Sequence, residues 1–358
     1  MMRKERMRCM MRGQSIDRLP SQIDFVPHRL ESLLSELRMS AAQFDDFADN
    51  HIFYLYPLTE SCYYSSGSAA DQALVDLAVS RGLIEQHPDT RMIFDNFHVA
   101  WLKNRDGIRN MNVPLEVANA ALFRWPDPTV KGLFDHVAFA LAANRDQFYV
   151  VGLQHLGLFE RAHLLMGYQP FMIALSEDIP FVEELLDHIL EFHLGLAKRF
   201  IEVGIDAIRT GDDYGMQEGL QIDPRLWRKL IKPRLTKIWE LYRQAGVTVM
   251  HHSCGDITSI IPDLMEIGLN VLHPVQPKAM SIEELAARFG DRLVFFGGVD
   301  TQELFPFGSP EEVRMATSLC MKVLGRNGRY IVAPSQEIMN DVPTKNILAF
   351  IETVREQA

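Results

Sequence analysis

The chain has 358 residues, 47% hydrophobic and 23% charged, the composition of a soluble globular protein with material for an ample core. A net charge of −11, from 36 Lys and Arg against 47 Asp and Glu, argues against a nucleic-acid surface, which needs a basic face to neutralise phosphates. No apolar run of about 18 residues indicates a membrane span, the basic start MMRKERMRCMMRG lacks the apolar stretch of a secretory signal, and four scattered cysteines (Cys9, Cys62, Cys254, Cys320) suit reduced thiols in a cytoplasmic protein.

In chain order, residues 1–20 predict an N-terminal helix that ends at Arg18-Leu19-Pro20. SQIDFVPH (21–28) predicts a first strand, stopped by Pro27 and His28. Residues 29–90 read as helical, interrupted by a long loop over 54–72 that is rich in Tyr, Ser and Gly. RMIF (91–94) predicts the second strand, followed by Asp95 and His98. The third, FYVVGL (148–153), runs into Gln154-His155. Helices over 158–168 and 180–203 follow, the latter with Pro180 in its first turn. The fourth strand, from Ala207, leads into TGDDYG with its adjacent carboxylates Asp212 and Asp213. Asp223-Pro224 then opens a helix that reaches Arg243.

From there the spacing is regular. Strands are predicted over 247–250, 270–276, 292–300 and 329–336, separated by helical segments, and a last helix covers 343–356. Repeated strand-helix units imply parallel strands with right-handed crossovers. Eight of them predict an α/β fold, a (β/α)8 barrel with an N-terminal helical extension. The barrel itself needs about 250 residues. The expectation is one domain over 1–358, with 1–20 as the helix and 21–358 as the barrel. An open doubly wound sheet is the alternative, and the absence of GxGxxG after the first strand removes a dinucleotide site from it.

A barrel of this kind carries its chemistry at the C-terminal ends of its strands. Those ends hold His28, Asp95, His98, His155, Asp212, Asp213, Tyr214, His251, His252, Cys254, His273, Gln276, Asp300, Ser335, Gln336 and Glu337. Five of the 12 histidines (28, 155, 251, 252 and 273) close a predicted strand. The densest group is VTVMHHSCGD (247–256). His252 and Cys254 are two apart, so on an extended segment they point to one side, and zinc takes such N and S donors. The competing reading is a buried Cys packed as a small apolar residue beside a backbone-bonded His. Asp212 or Asp213 could equally cap the following turn, and only one of two adjacent side chains faces the barrel mouth.

The segments HHSCGDITSIIPDLMEIGLNVLHPVQ, FGDRLVFFGGVDTQELFPFGSPEEV and RYIVAPSQEIMNDVPTKNILAFIE resemble the uroporphyrinogen decarboxylase superfamily, as do RMRCMMRGQSIDRLP and TGDDYGMQEGLQIDPRLWRKLIKP. The resemblance runs over nearly the whole chain. It implies a (β/α)8 barrel and one of two activities. Decarboxylases of the family act on a tetrapyrrole without a cofactor, with an Asp and arginines at the mouth. Cobalamin-dependent methyltransferases use zinc held by an HxC motif after strand five and a Cys or His after strand eight. His252-Ser253-Cys254 matches the HxC pair. SQIDFVPH stands where the decarboxylases carry an Arg-rich loop.

The resemblance therefore implies a methyltransferase moving a methyl group between a small methyl ether, methylamine or thiol and methylcobalamin on a partner corrinoid protein, assisted by zinc. Its metal ligands are expected to be His252, Cys254 and Gln336, the last at the third-ligand position, with Glu337, Asp213 or His273 as substitutes for that weak amide donor. Asp213, Glu337 and His155 are the expected catalytic groups; His28, Asp95, Tyr214, His273 and Gln276 are expected to line the substrate. A cofactor-free decarboxylase using Arg209 and Arg124 is the alternative, and a non-catalytic barrel, motivated by Gln336, is the third reading.

Overall fold

A computed structural model describes residues 1–57, 91–104, 107–110, 114–115, 120, 122–129, 133–134 and 137–357. Helices α1 (Arg3–Met11), α2 (Pro27–Leu37) and α3 (Ala41–Ala48) precede strand β1 (Ile52–Leu55). A separate antiparallel sheet follows, made of β2 (Arg91–Phe94), β3 (Ala100–Asn104) and β4 (Gly107–Asn110). Helix α4 (Val137–Asn144) leads to β5 (Tyr149–Gln154), then to α5 (Leu158–Met166), α6 (Tyr168–Glu177) and α7 (Ile179–Val203). Strand β6 (Ala207–Gly211) is followed by the small hairpin β7 (Gly215–Met216) and β8 (Gly219–Leu220), and by α8 (Lys232–Gln244). The rest alternates: β9 (Thr248–His252), α9 (Ile261–Ile267), β10 (Val271–Val275), α10 (Ile282–Phe289) and β11 (Val294–Val299). Last come α11 (Leu304–Phe307), α12 (Pro310–Leu324), β12 (Tyr330–Pro334) and α13 (Thr344–Arg355).

Seven strands pair in parallel in the order β1-β5-β6-β9-β10-β11-β12. The segment 20–26 closes the ring between the first and the last. Val332 N donates to Pro20 O (2.8 Å) and Gln22 N to Val332 O (3.0 Å) on one side, while His51 N donates to Ser21 O (3.1 Å) on the other. Further up, Ile338 N donates to Asp24 O (2.8 Å) and Val26 N to Ile338 O (3.1 Å). Eight staves result, as in a (β/α)8 barrel.

Strand residues alternate between two cores. Outward ones such as Ile208, Val249, Leu272, Phe295 and Val332 pack against the helices. Inward ones (Ile52, Val151, Ala207, Met250, Val271, Phe296, Ile331) fill the lumen, and Met7 and Met10 of α1 join them from the N-terminal ends of the strands. Burial on both faces is why these strands are almost wholly apolar. Among the described residues no helix is long and apolar enough to cross a membrane.

Two strand expectations are corrected. RMIF forms a strand, but it pairs with β3 in the side sheet; the second barrel stave is IFYL, Ile52–Leu55, inside a stretch read as helix and loop. Four residues are too few for a period to stand out. The first stave ends at Val26, because Pro27 starts α2 and puts His28 on that helix. The N-terminal helix is Arg3–Met11, shorter than 1–20. The loop expected over 54–72 begins inside β1, and from residue 58 it lies outside the described residues.

Ring closure rests partly on one buried amide. Gln22 Oε1 accepts from both His51 N (3.2 Å) and Ile52 N (3.0 Å). Gln22→Leu removes that acceptor and leaves the Ile52 N–H without it, at a cost of about 1–3 kcal/mol. The urea midpoint should fall accordingly; an unchanged midpoint would show that closure does not depend on this amide.

Candidate metal centre at the barrel mouth

The site starts from alternation at the ends of two neighbouring strands. In the β6–β9 register Gly211 lies opposite His252, and the two chains stay bonded beyond their last paired residues. Asp212 N donates to His252 O (3.0 Å), Gly215 N to Cys254 O (3.2 Å) and Asp256 N to Met216 O (2.7 Å). Gly215 and Gly255 let the two loops touch backbone to backbone. A Cβ on Gly255, whose φ is +80°, would stand 2.3 Å from Gly215 C. Gln276 Oε1 accepts from Gly255 N (2.5 Å) and fixes the same loop from the β10 side.

This arrangement brings three donor atoms together. His252 Nε2 is 3.5 Å from Cys254 Sγ and 3.5 Å from Asp213 Oδ1, which also accepts from Cys254 N at 2.7 Å. Atoms bound to zinc at about 2.0 Å (N, O) and 2.3 Å (S) in a tetrahedron are about 3.3–3.5 Å apart along its edges. The three side chains therefore fit a shared divalent ion, all three donor atoms lying within 4.8 Å of one another. On its far side His252 Nδ1 meets His273 Nδ1 at 2.9 Å, the kind of partner that fixes a ligand's tautomer.

Electrostatics suit the same use. Burial holds His252, His155 and His273 below the usual imidazole range, with the Arg209 guanidinium adding to it, so these rings are neutral. Burial also pushes the Cys254 thiol up, with Asp213 and Glu160 nearby. A bound cation reverses that and favours the thiolate.

The neighbouring outward side chains are structural. His251 stacks on Tyr214 (5.6 Å) and meets Trp239 edge-on (5.3 Å), with Nδ1 at 2.9 Å from Thr210 Oγ1. Asp212 caps helix α5, accepting from Phe159 N (2.9 Å) and Glu160 N (2.7 Å) as well as Tyr214 Oη (2.9 Å). Burial pushes its carboxyl up to about 7 against those donors. By capping that helix it sets Glu160 near Asp213 and Cys254. Glu160 is a group no sequence pattern pointed to, and burial beside two other carboxylates raises its carboxyl well above the usual range.

A second polar group lies in the lumen beside the first. Arg209, inward on β6, donates to Tyr54 Oη (3.1 Å) and covers the Tyr54 ring at 4.6 Å. Tyr54 Oη donates to Asp24 Oδ2 (2.9 Å), and Gln22 Nε2 to Asp24 Oδ1 (2.8 Å). Glu337, after β12, faces the same group; burial, and then Asp24, push its carboxyl up to about 7. Its neighbour Gln336 points its amide at Cys254 Sγ, 3.6 Å away. Tyr54 and Asp24 were not singled out from the sequence, because the stave that carries Tyr54 was not recognised.

Of the residues expected at the mouth, the structure brings Asp213, His252, Cys254, His273, Gln276, Gln336, Glu337 and His155 together, the His155 ring lying 5.8 Å from that of His252. Three lie elsewhere. Tyr214 is fully buried behind the strands, between Trp227, Phe159 and His251. His28 is exposed on α2, 3.3 Å from Asn340 Oδ1. Asp95 accepts from Phe97 N, Val99 N, Trp101 Nε1 and Arg161 Nη1, which docks the side sheet on α5.

Fold and site together define an α/β barrel of the metal-binding, mouth-sited kind. Residues 106–357 match the family model of uroporphyrinogen decarboxylase (URO-D), and the chain belongs to that family. Among solved structures, a methyltransferase from Methanosarcina mazei is similar over 99% of this chain and 98% of its own, with a TM-score of 0.70 and 17% identity, a likeness of fold. A B12-independent methionine synthase from Shewanella sp. W3-18-1, in complex with selenomethionine, covers 95% of each chain with 10% identity and a TM-score of 0.48, too distant to argue from. No curated protein matches the sequence.

Buried neutral imidazoles make the fold sensitive to acid. Burial lowers His51 to about 4 and His193 and His251 to about 3, from an ordinary 6.5. His51 Nε2 accepts from Arg6 Nη1 and His193 Nδ1 from Gln154 Nε2, so protonation breaks a bond in each. Folded values below the unfolded one mean that the stability is present above pH 6.5 and lost as pH falls towards 4. The slope reaches up to about 4 kcal/mol per pH unit for three such sites. Urea midpoints between pH 7.5 and 5 should drop steeply below 6.5; a flat profile contradicts it.

Proposed function

We propose that the protein is a metal-assisted methyltransferase that moves a methyl group between a small methylated substrate and a corrinoid carried by a partner protein. The observation that carries this reading is the His252–Cys254–Asp213 triad, three donors at the edge lengths of a tetrahedral shell in the mouth of a barrel of this family. The fold likeness to a methyltransferase supports it. Asp213 supplies the negative charge that a second thiolate supplies in the zinc methyltransferases, where this chain has the neutral Gln336. The ion then sits in a neutral set of one imidazole, one thiolate and one carboxylate, with a position left for substrate.

A zinc ion held there supplies Lewis acidity, and a reduced corrinoid on the partner supplies the nucleophile that accepts the methyl group. The bond between the methyl carbon and its heteroatom breaks with both electrons staying on the heteroatom, which takes up one proton. Glu337, pushed up to about 7 by burial, is placed to give that proton. His273 holds the His252 ring through Nδ1, and Gln276 holds the loop that carries Cys254. Gln336 donates to the Cys254 sulfur rather than replacing it.

The decarboxylase alternative needs several guanidinium groups for a polycarboxylate. Among the described residues Arg209 is the cation that touches the site, already engaged by Tyr54, and Arg124 is exposed.

Protein purified without chelator should carry one zinc per chain, and His252→Ala or Cys254→Ala should each reduce this to near zero while Asp213→Asn weakens binding about 10–100-fold. With zinc bound, anaerobic incubation with reduced cobalamin and a panel of methyl ethers, methylamines and thioethers should demethylate at least one class. Zinc-free protein, or zinc-loaded protein inert towards every class, refutes the proposal.

A further inference from the structure

The lumen group beside the metal ligands defines the charge that the substrate carries, an inference that rests on the mouth being a substrate site as proposed above. Arg209 is not available as an anion receptor. Its Nη1 donates to Tyr54 Oη at 3.1 Å, its guanidinium lies over the Tyr54 ring at 4.6 Å, and Asp24 answers its charge through that same hydroxyl, at 2.9 Å. Gln22 closes the chain by donating to the other Asp24 oxygen. Arg209 and Asp24 thus neutralise each other through Tyr54.

Glu337 remains. It follows β12, next to the Gln336 amide that points at Cys254 Sγ, so it flanks the space over the metal ligands. Its only neighbouring charges of consequence are Asp24, which repels its charge, and Arg209, which attracts it. Two carboxylates against one guanidinium leave this wall with an excess of one negative charge, apart from Asp213, which belongs to the metal triad. Phe296 offers an aromatic wall in the same lumen, its ring 4.5 Å from that of His273. Beneath lie the side chains of Val151, Met250 and Ile331, which leave space only towards the mouth. A carboxylate with no cation of its own, beside an aromatic ring, is what recognises an ammonium group.

We propose that the mouth binds a small positively charged substrate, an amine or quaternary ammonium compound, with Glu337 as its counter-charge and the metal triad facing its second heteroatom. The metal-bound end and the cationic end then meet different walls of the mouth. A carboxylate substrate meets Glu337 and Asp24 with no available guanidinium and is excluded.

Three ligands of nearly the same shape separate charge from fit: choline, its neutral isostere 3,3-dimethylbutan-1-ol, and the anion 3,3-dimethylbutanoate. Calorimetric titration of the zinc-loaded full chain should show choline bound at least tenfold more tightly than the neutral alcohol, with no binding of the anion. Glu337→Gln should abolish the preference for choline while the Tm stays within about 2 °C, and Glu337→Lys should turn it towards the anion. Equal binding of choline and the alcohol, preference for the anion, no binding of choline, or an undiminished preference in Glu337→Gln each overturns the inference. If Glu337→Gln fails to fold, the charge preference of the unmodified chain decides alone. Choline binding without methyl transfer to any acceptor leaves this inference standing and removes the proposed reaction; methyl transfer from neutral donors without choline binding does the reverse.

Discussion

The hydrogen bond from the Cys254 N–H to the Asp213 carboxylate, 2.7 Å long, ties the ends of two adjacent parallel strands at the point where their side chains turn towards the lumen. Once it is made, the positions of the other groups follow from period-two alternation. Asp213 inward means Asp212 outward, onto the N-terminus of α5. His252 inward means His251 outward, into the shell of Tyr214 and Trp239. The bond needs the two loops closer than ordinary side chains permit, and Gly215 and Gly255 provide that closeness.

The mouth is acid-rich for its size. Asp213, Glu160, Asp24 and Glu337 surround one guanidinium, and the imidazoles between them are held neutral by burial. Such a set is unfavourable without a compensating cation. A divalent ion at the triad answers part of that charge, and it would stabilise the same thiolate that burial disfavours in its absence. Metal, strand ends and acid-rich lumen are thus one electrostatic arrangement rather than three separate features.

How much of this could be read in the sequence varied with the length of the pattern. Strands β9 to β12 come at regular intervals with apolar helices between them, and each was found within about two residues. The spacing of His252 and Cys254 already put both on one side of a strand, and they stand 3.5 Å apart. Alternation allowed one of Asp212 and Asp213 to face the mouth, but choosing between them required the pairing of Gly211 with His252, a tertiary fact. β1 escaped because four residues carry no visible period, and Tyr54 escaped with it. Glu160 reaches the site only because a helix packs over β6, and Asp24 only because its segment closes the ring. Tyr214 stood beside two carboxylates in the sequence, yet a change of face between neighbours sent it into the core.

The central claim is that one imidazole, one thiolate and one carboxylate share a metal ion, with Gln336 outside the shell. X-ray absorption at the zinc K-edge of the loaded protein measures it most directly. The account predicts a single sulfur at about 2.3 Å with the remaining neighbours nitrogen or oxygen at about 2.0 Å, unchanged in Gln336→Ala. A shell with no sulfur, with two sulfurs, or one that loses a light neighbour in Gln336→Ala would contradict it.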